Sequence, residues 1–265
     1  MRRRLHRSLE AWKHHHRPPS LPDAQAYIAV ADAVWFNFGK SKRRYTCFVI
    51  LLRPVETELG YPVVVYLRRG RESKTTWATA FSRVPGKVRS RITALVADGH
   101  TGIMHIALER GWHFQWCHAH MKRKVFELRG VRALPARLLR QEITKLVYRF
   151  LETPHEQIAS ACLRRLRYLF EQPQCPKSFP TRLSGVIKRG HLLRTYRAVP
   201  ELNLPVTTNS VEQINNQLSG RYGAMRGLRS AKALRYWLDL ISRTFKPIHC
   251  RGYLHTIITH RKSVS

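Results

Sequence analysis

The sequence predicts an α/β fold, a mixed sheet flanked by helices and interrupted by an all-helical insertion. Three observations predict it. Three apolar, β-branched segments follow one another early in the chain, and strands then alternate with helices. From residue 131 to 205 the strand signal stops while an apolar period near 3.6 residues continues. The 265 residues suffice for one large domain with an insertion, and 43% hydrophobic residues suffice for its core.

Residues 1–22 hold six Lys or Arg, four His and one Glu, and include Pro18, Pro19 and Pro22. They read as a disordered basic arm. His14, His15 and His16 on such an arm do not make the closed geometry of a structural metal site. Residues 26–38 (AYIAVADAVWFNF), 45–53 (YTCFVILLR) and 61–68 (YPVVVYLR) predict three sequential strands in an antiparallel meander. SKTTWATAFSRV at 73–84 predicts a helix capped by Ser73.

RITALVAD at 91–98 predicts a fourth strand running into Asp98. From Thr101 the apolar residues Ile103, Ile106 and Ala107 recur at helical spacing up to Gly111, a C-terminal glycine. WHFQWC at 112–117 predicts a fifth strand, and HAHMKRKVFELRG a basic helix, with parallel pairing among the later strands. The core is thus expected over 23–130, the insertion over 131–205, further core helices over 206–246 and a basic tail over 247–265. In the insertion, Leu139, Ile143, Leu146, Val147 and Phe150 keep a helical period, as do Ile158, Cys162, Leu166 and Leu169, while Pro173, Pro176 and Pro180 break it. SVEQINNQLS at 210–219 begins another helix, and Leu234, Trp237, Leu238, Ile241 and Phe245 mark an amphipathic one.

Charge narrows the function. Against 48 Lys and Arg stand 16 Asp and Glu, a formal net charge of +32, which self-repels unless a polyanion neutralises it. Nucleic acid is the expected partner. No apolar run approaches the ~18–20 residues of a membrane span, and the basic N-terminus lacks the apolar stretch of a secretory signal. Five cysteines, odd in number and without a CxxC, argue against a disulfide framework.

Carboxylates are scarce, and any metal-assisted phosphodiester chemistry must draw on them. Asp32 interrupts an apolar strand, either as a surface residue of an edge strand or as a paired or metal-bound functional group. Asp98 follows a strand and precedes Gly99, either as an ordinary Asp–Gly turn or at the carboxyl end where α/β sheets bind ligands. Glu212 falls in the first turn of a helix capped by Asn209 or Ser210, with Asn215 and Asn216 on the same polar face. The Cys117–His120 spacing invites a zinc reading with His113 or His118 added, but no second ligand pair is evident. His100 lies next to the Asp98 turn. Trp112 and Trp116, among basic neighbours, serve either the core or base stacking.

These residues resemble a family. Asp32 on the first strand, Asp98 in VADGH, Cys117 and His120 in QWCHAH, and Glu212 in TTNSVEQINNQL look like the catalytic core of DDE transposases of the Mutator type and related bacterial insertion-sequence transposases. The resemblance spans roughly residues 25 to 245, and the block Thr207–Leu218 is its most specific part.

It implies a ribonuclease H-like mixed five-stranded sheet with the first and fourth strands side by side. Asp32, Asp98 and Glu212 would be the catalytic, metal-binding triad for two Mg²⁺ or Mn²⁺ ions. His100, Cys117, His120, Asn209 and Asn215 would shape the site. Apart from the resemblance, charge makes Arg2, Arg3, Arg4, Lys122, Arg123, Lys124, Arg226 and Arg229 the residues expected to meet DNA, with solvated charge an equal reading for Arg226 and Arg229. The implied reaction is hydrolysis at a transposon end followed by attack of the freed 3′-OH on target DNA. A homo-oligomeric synaptic complex in a bacterial cytoplasm, without a membrane, is implied too.

Complete transposases of this type carry a sequence-specific DNA-binding region before the core. The 22-residue arm predicts instead a truncated copy or recognition supplied from elsewhere. Two other readings compete: a non-catalytic basic nucleic-acid-binding remnant, and a ribonuclease H-like nuclease without joining activity.

Overall fold

The fold was described from a computed structural model, which describes residues 11, 19–38, 43–128, 134–224 and 231–252. Arg2, Arg3, Arg4, Arg226 and Arg229 lie outside the described residues.

The meander forms as expected, with β1 at Tyr27–Phe38, β2 at Arg43–Pro54 and β3 at Leu59–Arg69, each antiparallel to the next. The helix α1, Lys74–Phe81, is capped by Ser73, whose side chain accepts from the Thr76 N–H while the Thr76 side chain accepts from the Ser73 N–H. A short helix α2, Gly86–Arg89, leads to β4, Ile92–Ala97. Then come α3 (Thr101–Glu109), β5 (His113–Trp116) and α4 (His118–Phe126).

Strand order is β5-β4-β1-β2-β3-β6, with β1, β4 and β5 mutually parallel. The first and fourth strands are therefore neighbours, but the described sheet has six strands rather than the expected five. The sixth, β6 at Ile248–His249, pairs antiparallel with Leu59 and Gly60 of β3. Gly60 permits that closeness, because a Cβ there would lie 2.4 Å from the Cys250 sulfur. Sequence could not announce a two-residue strand, which has no periodicity to read.

Both faces of the sheet are covered, which is why its strands read as nearly unbroken apolar runs. Alternation divides β1: Tyr27, Ala29 and Ala31 join one buried cluster with α1 and α3, while Ile28 and Val30 join another. The insertion supplies α5 (Leu134–Glu152), α6 (Glu156–Glu171) and α7 (Ser178–Arg189). Their apolar residues, including Ile143, Val147, Leu166 and Leu183, belong to the same buried cluster as Tyr27 and Phe48 of the sheet. Pro180 does not break α7. It sits in the first turn, where its missing N–H has no intrahelical partner to lose.

A 3₁₀ turn at Gly190–Leu193, the short helix α8 at Thr195–Ala198 and a second 3₁₀ turn at Pro200–Leu202 bring the chain back. Helices α9 (Asn209–Ala224) and α10 (Ala231–Ser242) then cover the second face, with Val211, Ile214, Leu218, Leu234 and Leu238 buried against Ile28 and Val30. Trp112 and Trp116, 7% and 5% exposed, lie in the first cluster, so base stacking is not their role. The ring of Trp116 is what makes Gly99 necessary, since a Cβ there would fall 2.1 Å from it.

The return from the insertion is held by buried polar bonds to the end of β5. Gln115 donates from Nε2 to the Trp116 carbonyl at 2.8 Å and the Leu193 carbonyl at 3.1 Å, and its Oε1 accepts the Tyr196 N–H at 2.9 Å. His118 Nε2 meets the Leu193 carbonyl at 2.6 Å, and its backbone N–H donates to the Val206 carbonyl at 2.8 Å. Burial drives the His118 imidazole down to about 4, so near neutral pH the ring is uncharged and Nε2–H is the donor. Buried Arg194 ties the same segment to the α5–α6 turn, donating to the Phe150 and Thr153 carbonyls at 2.7 and 2.9 Å and pairing with Glu156 at 2.6 Å.

Replacing Gln115 by Leu orphans the Tyr196 N–H and weakens the hold on the Leu193 carbonyl. Urea unfolding is expected to show a loss of about 2–4 kcal/mol; a loss below about 1 kcal/mol would mean that the bonds are not holding this segment.

Candidate active site

Asp32 sits on β1, a central strand flanked by β4 and β2, so the edge-strand reading is corrected. It follows Ile28 and Val30 on the face that α9 covers. Pairing of β1 with β4 ends at Val30↔Val96, whereas pairing with β2 continues through Asp32↔Val49 to Phe38. Carrying the parallel register on by two residues sets Asp98 beside Asp32, where the two strands part. The two acids thus lie side by side where β4 ends and β1 runs on beyond it.

Asp98 forms a turn just past the end of β4. Its Oδ1 accepts the His100 N–H at 3.1 Å, an Asx turn, and the residue remains in the electrostatic neighbourhood of Asp32. His100 caps α3 through Nδ1, which accepts the Gly102 N–H at 3.1 Å.

Glu212 arrives from the far side of the insertion in the first turn of α9. Its backbone N–H donates to the Thr208 carbonyl at 2.9 Å, so Thr208 takes the capping position expected of Asn209 or Ser210. Asn209 is exposed, and Ser210 is buried toward Cys250. Of the two asparagines, Asn216 faces out, while buried Asn215 donates from Nδ2 to Asp32 Oδ2 at 2.9 Å. The Asn215 Oδ1 is buried without a hydrogen-bond partner among the described residues.

Burial, with smaller contributions from Asp98 and Glu212, raises the Asp32 carboxyl to about 7 against the opposing bonds from the Ala33 N–H and Asn215. Segments distant in sequence thereby bring Asp98 and Glu212 within electrostatic reach of Asp32. A fourth acid, Glu72, joins them. It stands just before the Ser73 cap of α1 and accepts the Trp77 indole N–H at 3.3 Å. Burial raises its carboxyl, Asp98 raises it further, and His100 opposes the shift. Sequence reading missed Glu72, although membership in a short list of carboxylates beside a helix cap was a usable signal.

Around Glu212 the side chains of α4 close in. Cys117 is the N-cap residue of α4, and its sulfur accepts from the Thr208 N–H and hydroxyl, each at 3.3 Å. His120 Nδ1 lies 3.6 Å from Glu212 Oε1, and Arg123 pairs with Oε2 at 3.4 Å. Lys122 pairs with Glu152 at 2.7 Å, and Lys124 lies over the Trp116 ring at 5.1 Å from its centroid. Burial lowers the His120 imidazole, with Asp98 and Glu212 opposing, and raises the Cys117 thiol against the bonds from Thr208. His118 and His113 do not join this cluster: the first is spent on Leu193, and the second is exposed.

The acids suit a hard divalent ion, which takes oxygen donors. Carboxylates gathered at a half-buried strand end, beside an amide oxygen lacking a donor, are what a bound cation would relieve. No helix of the described residues is long and apolar enough to cross a membrane.

No family model matches the chain, and no curated protein matches it. Among solved structures it is similar to the Drosophila P element transposase in its strand transfer complex. That pair is 11% identical with a TM-score of 0.48, covering 91% of this chain and 85% of that one. It is also similar to a chain of the simian T-cell lymphotropic virus intasome in complex with PP2A regulatory subunit B56 gamma, 12% identical with a TM-score of 0.26 over 61% of each chain. At these identities and scores neither likeness assigns a function.

Because the Asp32 carboxyl titrates in the folded protein above its ordinary 3.8, the stability it contributes is complete below 3.8 and is lost as the pH rises through about 7. Without divalent cations, the Tm is expected to fall by a few degrees between about pH 5 and 8, and Asp32→Asn to flatten that fall. An equal slope in both proteins would show that Asp32 is not the titrating group.

Proposed function

We propose that this chain is the ribonuclease H-like catalytic core of a DDE transposase of the Mutator type, performing metal-dependent cleavage and joining of DNA. One observation carries the reading: Asp32 from the middle of β1, Asp98 from just past the end of β4 and Glu212 from the first turn of α9 converge where β1 and β4 part, across a helical insertion. The strand order, with an antiparallel meander followed by two parallel strands on its first edge, supports the ribonuclease H-like assignment. The motif blocks around Cys117 and Glu212 support the Mutator-type one.

In this reading Asp32 and Asp98 hold Mg²⁺ or Mn²⁺, and Glu212 completes the set. When bound, such ions activate the attacking oxygen and stabilise the leaving oxygen of a phosphodiester. Asn215 and the Ala33 N–H together orient the Asp32 carboxylate. The Asx turn at Asp98 and the His100 cap hold the second acid in place. Thr208 and Arg123 restrain Glu212, one at each carboxylate oxygen. Arg123 is also exposed at the rim, where Lys122 and Lys124 flank it, so DNA backbone could reach the acids past α4. Net charge of +32 supplies the sequence-independent attraction that such a reaction needs.

The test is cleavage and joining of labelled duplex DNA carrying the element's own ends, with Mg²⁺ or Mn²⁺. Wild type is expected to yield joined product, and Asp98→Asn, folded by circular dichroism, to yield neither cleavage nor joining. Joining retained in Asp98→Asn would refute the assignment. Cut ends without joined product would favour a nuclease, and salt-sensitive binding without any cleavage would favour a DNA-binding remnant.

A further inference from the structure

Cys117, His120 and Glu212 form a second constellation beside the acids. One ligand atom from each, Sγ, an imidazole nitrogen and a carboxylate oxygen, lies within 4.8 Å of the other two. Their lone pairs turn inward on the Thr208 hydroxyl, which stands 3.3 Å from Cys117 Sγ, 3.5 Å from His120 Nδ1 and 3.4 Å from Glu212 Oε1. That hydroxyl has one proton and can satisfy only one of the three at a time. The local fold sets the pair from α4: Cys117 is its N-cap and His120 lies three residues on, so both project to one side of the first turn. Glu212 presents Oε1 to them because Arg123 holds Oε2.

We propose that Cys117, His120 and Glu212 bind a thiolate-seeking divalent ion of the zinc type, with water in the fourth position. Sulfur, imidazole and one carboxylate suit zinc, and they are poor donors for Mg²⁺ or Mn²⁺, which prefer oxygen throughout. The half-open rim allows the fourth ligand, since the His120 and Glu212 side chains are 18% and 21% exposed. Binding releases the Cys117 proton to solvent, and the Thr208 N–H then remains a donor to the bound thiolate. Glu212 is also the third acid of the proposed DNA-processing site. Occupancy by a soft ion therefore turns it away from Asp32 and Asp98 and inhibits the reaction, a consequence that rests on that reading; the binding itself does not.

Cobalt(II) is the probe, because a cysteine thiolate bound to it absorbs in the near ultraviolet. Full-length protein titrated with Co²⁺ in millimolar Mg²⁺ is expected to show a saturable thiolate band that Zn²⁺ abolishes by displacement. Cys117→Ser, which keeps the other four cysteines, should remove the band. His120→Ala and Glu212→Gln should each weaken Co²⁺ binding by ~10-fold or more, at least the effect of losing an outer-shell partner. Asp32→Asn should keep the band, which separates this site from the hard-ion site. No band in wild type overturns the proposal, as does a band that survives in folded Cys117→Ser. Should Cys117→Ser fail to fold, His120→Ala and Glu212→Gln decide: binding weakened less than ~10-fold in both overturns it.

Discussion

The Leu193 carbonyl, met by Gln115 and His118 at the end of β5, is the point on which the rest of the site depends. Between Asp98 and Glu212 the chain leaves the sheet, builds three long helices and returns. Buried Arg194 ties the return to the α5–α6 turn. A buried glutamine and an uncharged histidine fix where it lands on the sheet, by taking the Leu193 carbonyl, the Tyr196 N–H and the Val206 carbonyl within one corner. Two residues beyond Val206, Thr208 starts α9, and Glu212 follows in its first turn. The polar groups involved are buried and have few alternatives, so leaving them unpaired is expensive. Their geometry is correspondingly specific.

This arrangement gives the QWCHAH segment an unusual density of use. Gln115 and His118 serve the fold, holding the insertion's exit. Cys117 and His120 lie on the other side of the same turn and face Thr208 and Glu212. Alternation along the strand and the first turn of α4 separates the two tasks without separating them in sequence. A substitution at any of these positions is therefore felt at Glu212, through its path or through its immediate neighbours.

Electrostatics sets the second constraint. A chain of net charge +32 nevertheless places Asp32, Glu72 and Glu212 around the turn at Asp98, and the first two are held above the ordinary carboxylate range by burial and by Asp98, which acts on both. Clustering acids against water is unfavourable unless a cation is there to share them. The Asp32 carboxyl takes hydrogen bonds from the Ala33 N–H and the Asn215 amide, neither of which carries a charge. Positive charge lies farther out, on α4, where it can guide a polyanion toward the acids.

Much was legible before any coordinates. The strands of β1 to β5, the Ser73 cap, the helical period of the insertion and the apolar stripe of α10 were readable because each is a local pattern of side chains repeated over several residues. The motif blocks singled out Asp32, Asp98 and Glu212. Other features had no local pattern: the two-residue β6, the capping role of Thr208, the approach of Glu72 to Asp98, and the choice of face for Asp32. The last depended on which helix would cover Ile28 and Val30, and parity alone leaves both faces open. Local side-chain patterns thus specify the elements and the short list of groups able to do chemistry. Which of those groups meet is settled in three dimensions, by strand register and by buried bonds between residues as far apart as Gln115 and Leu193, whose pairing no spacing in the chain specifies.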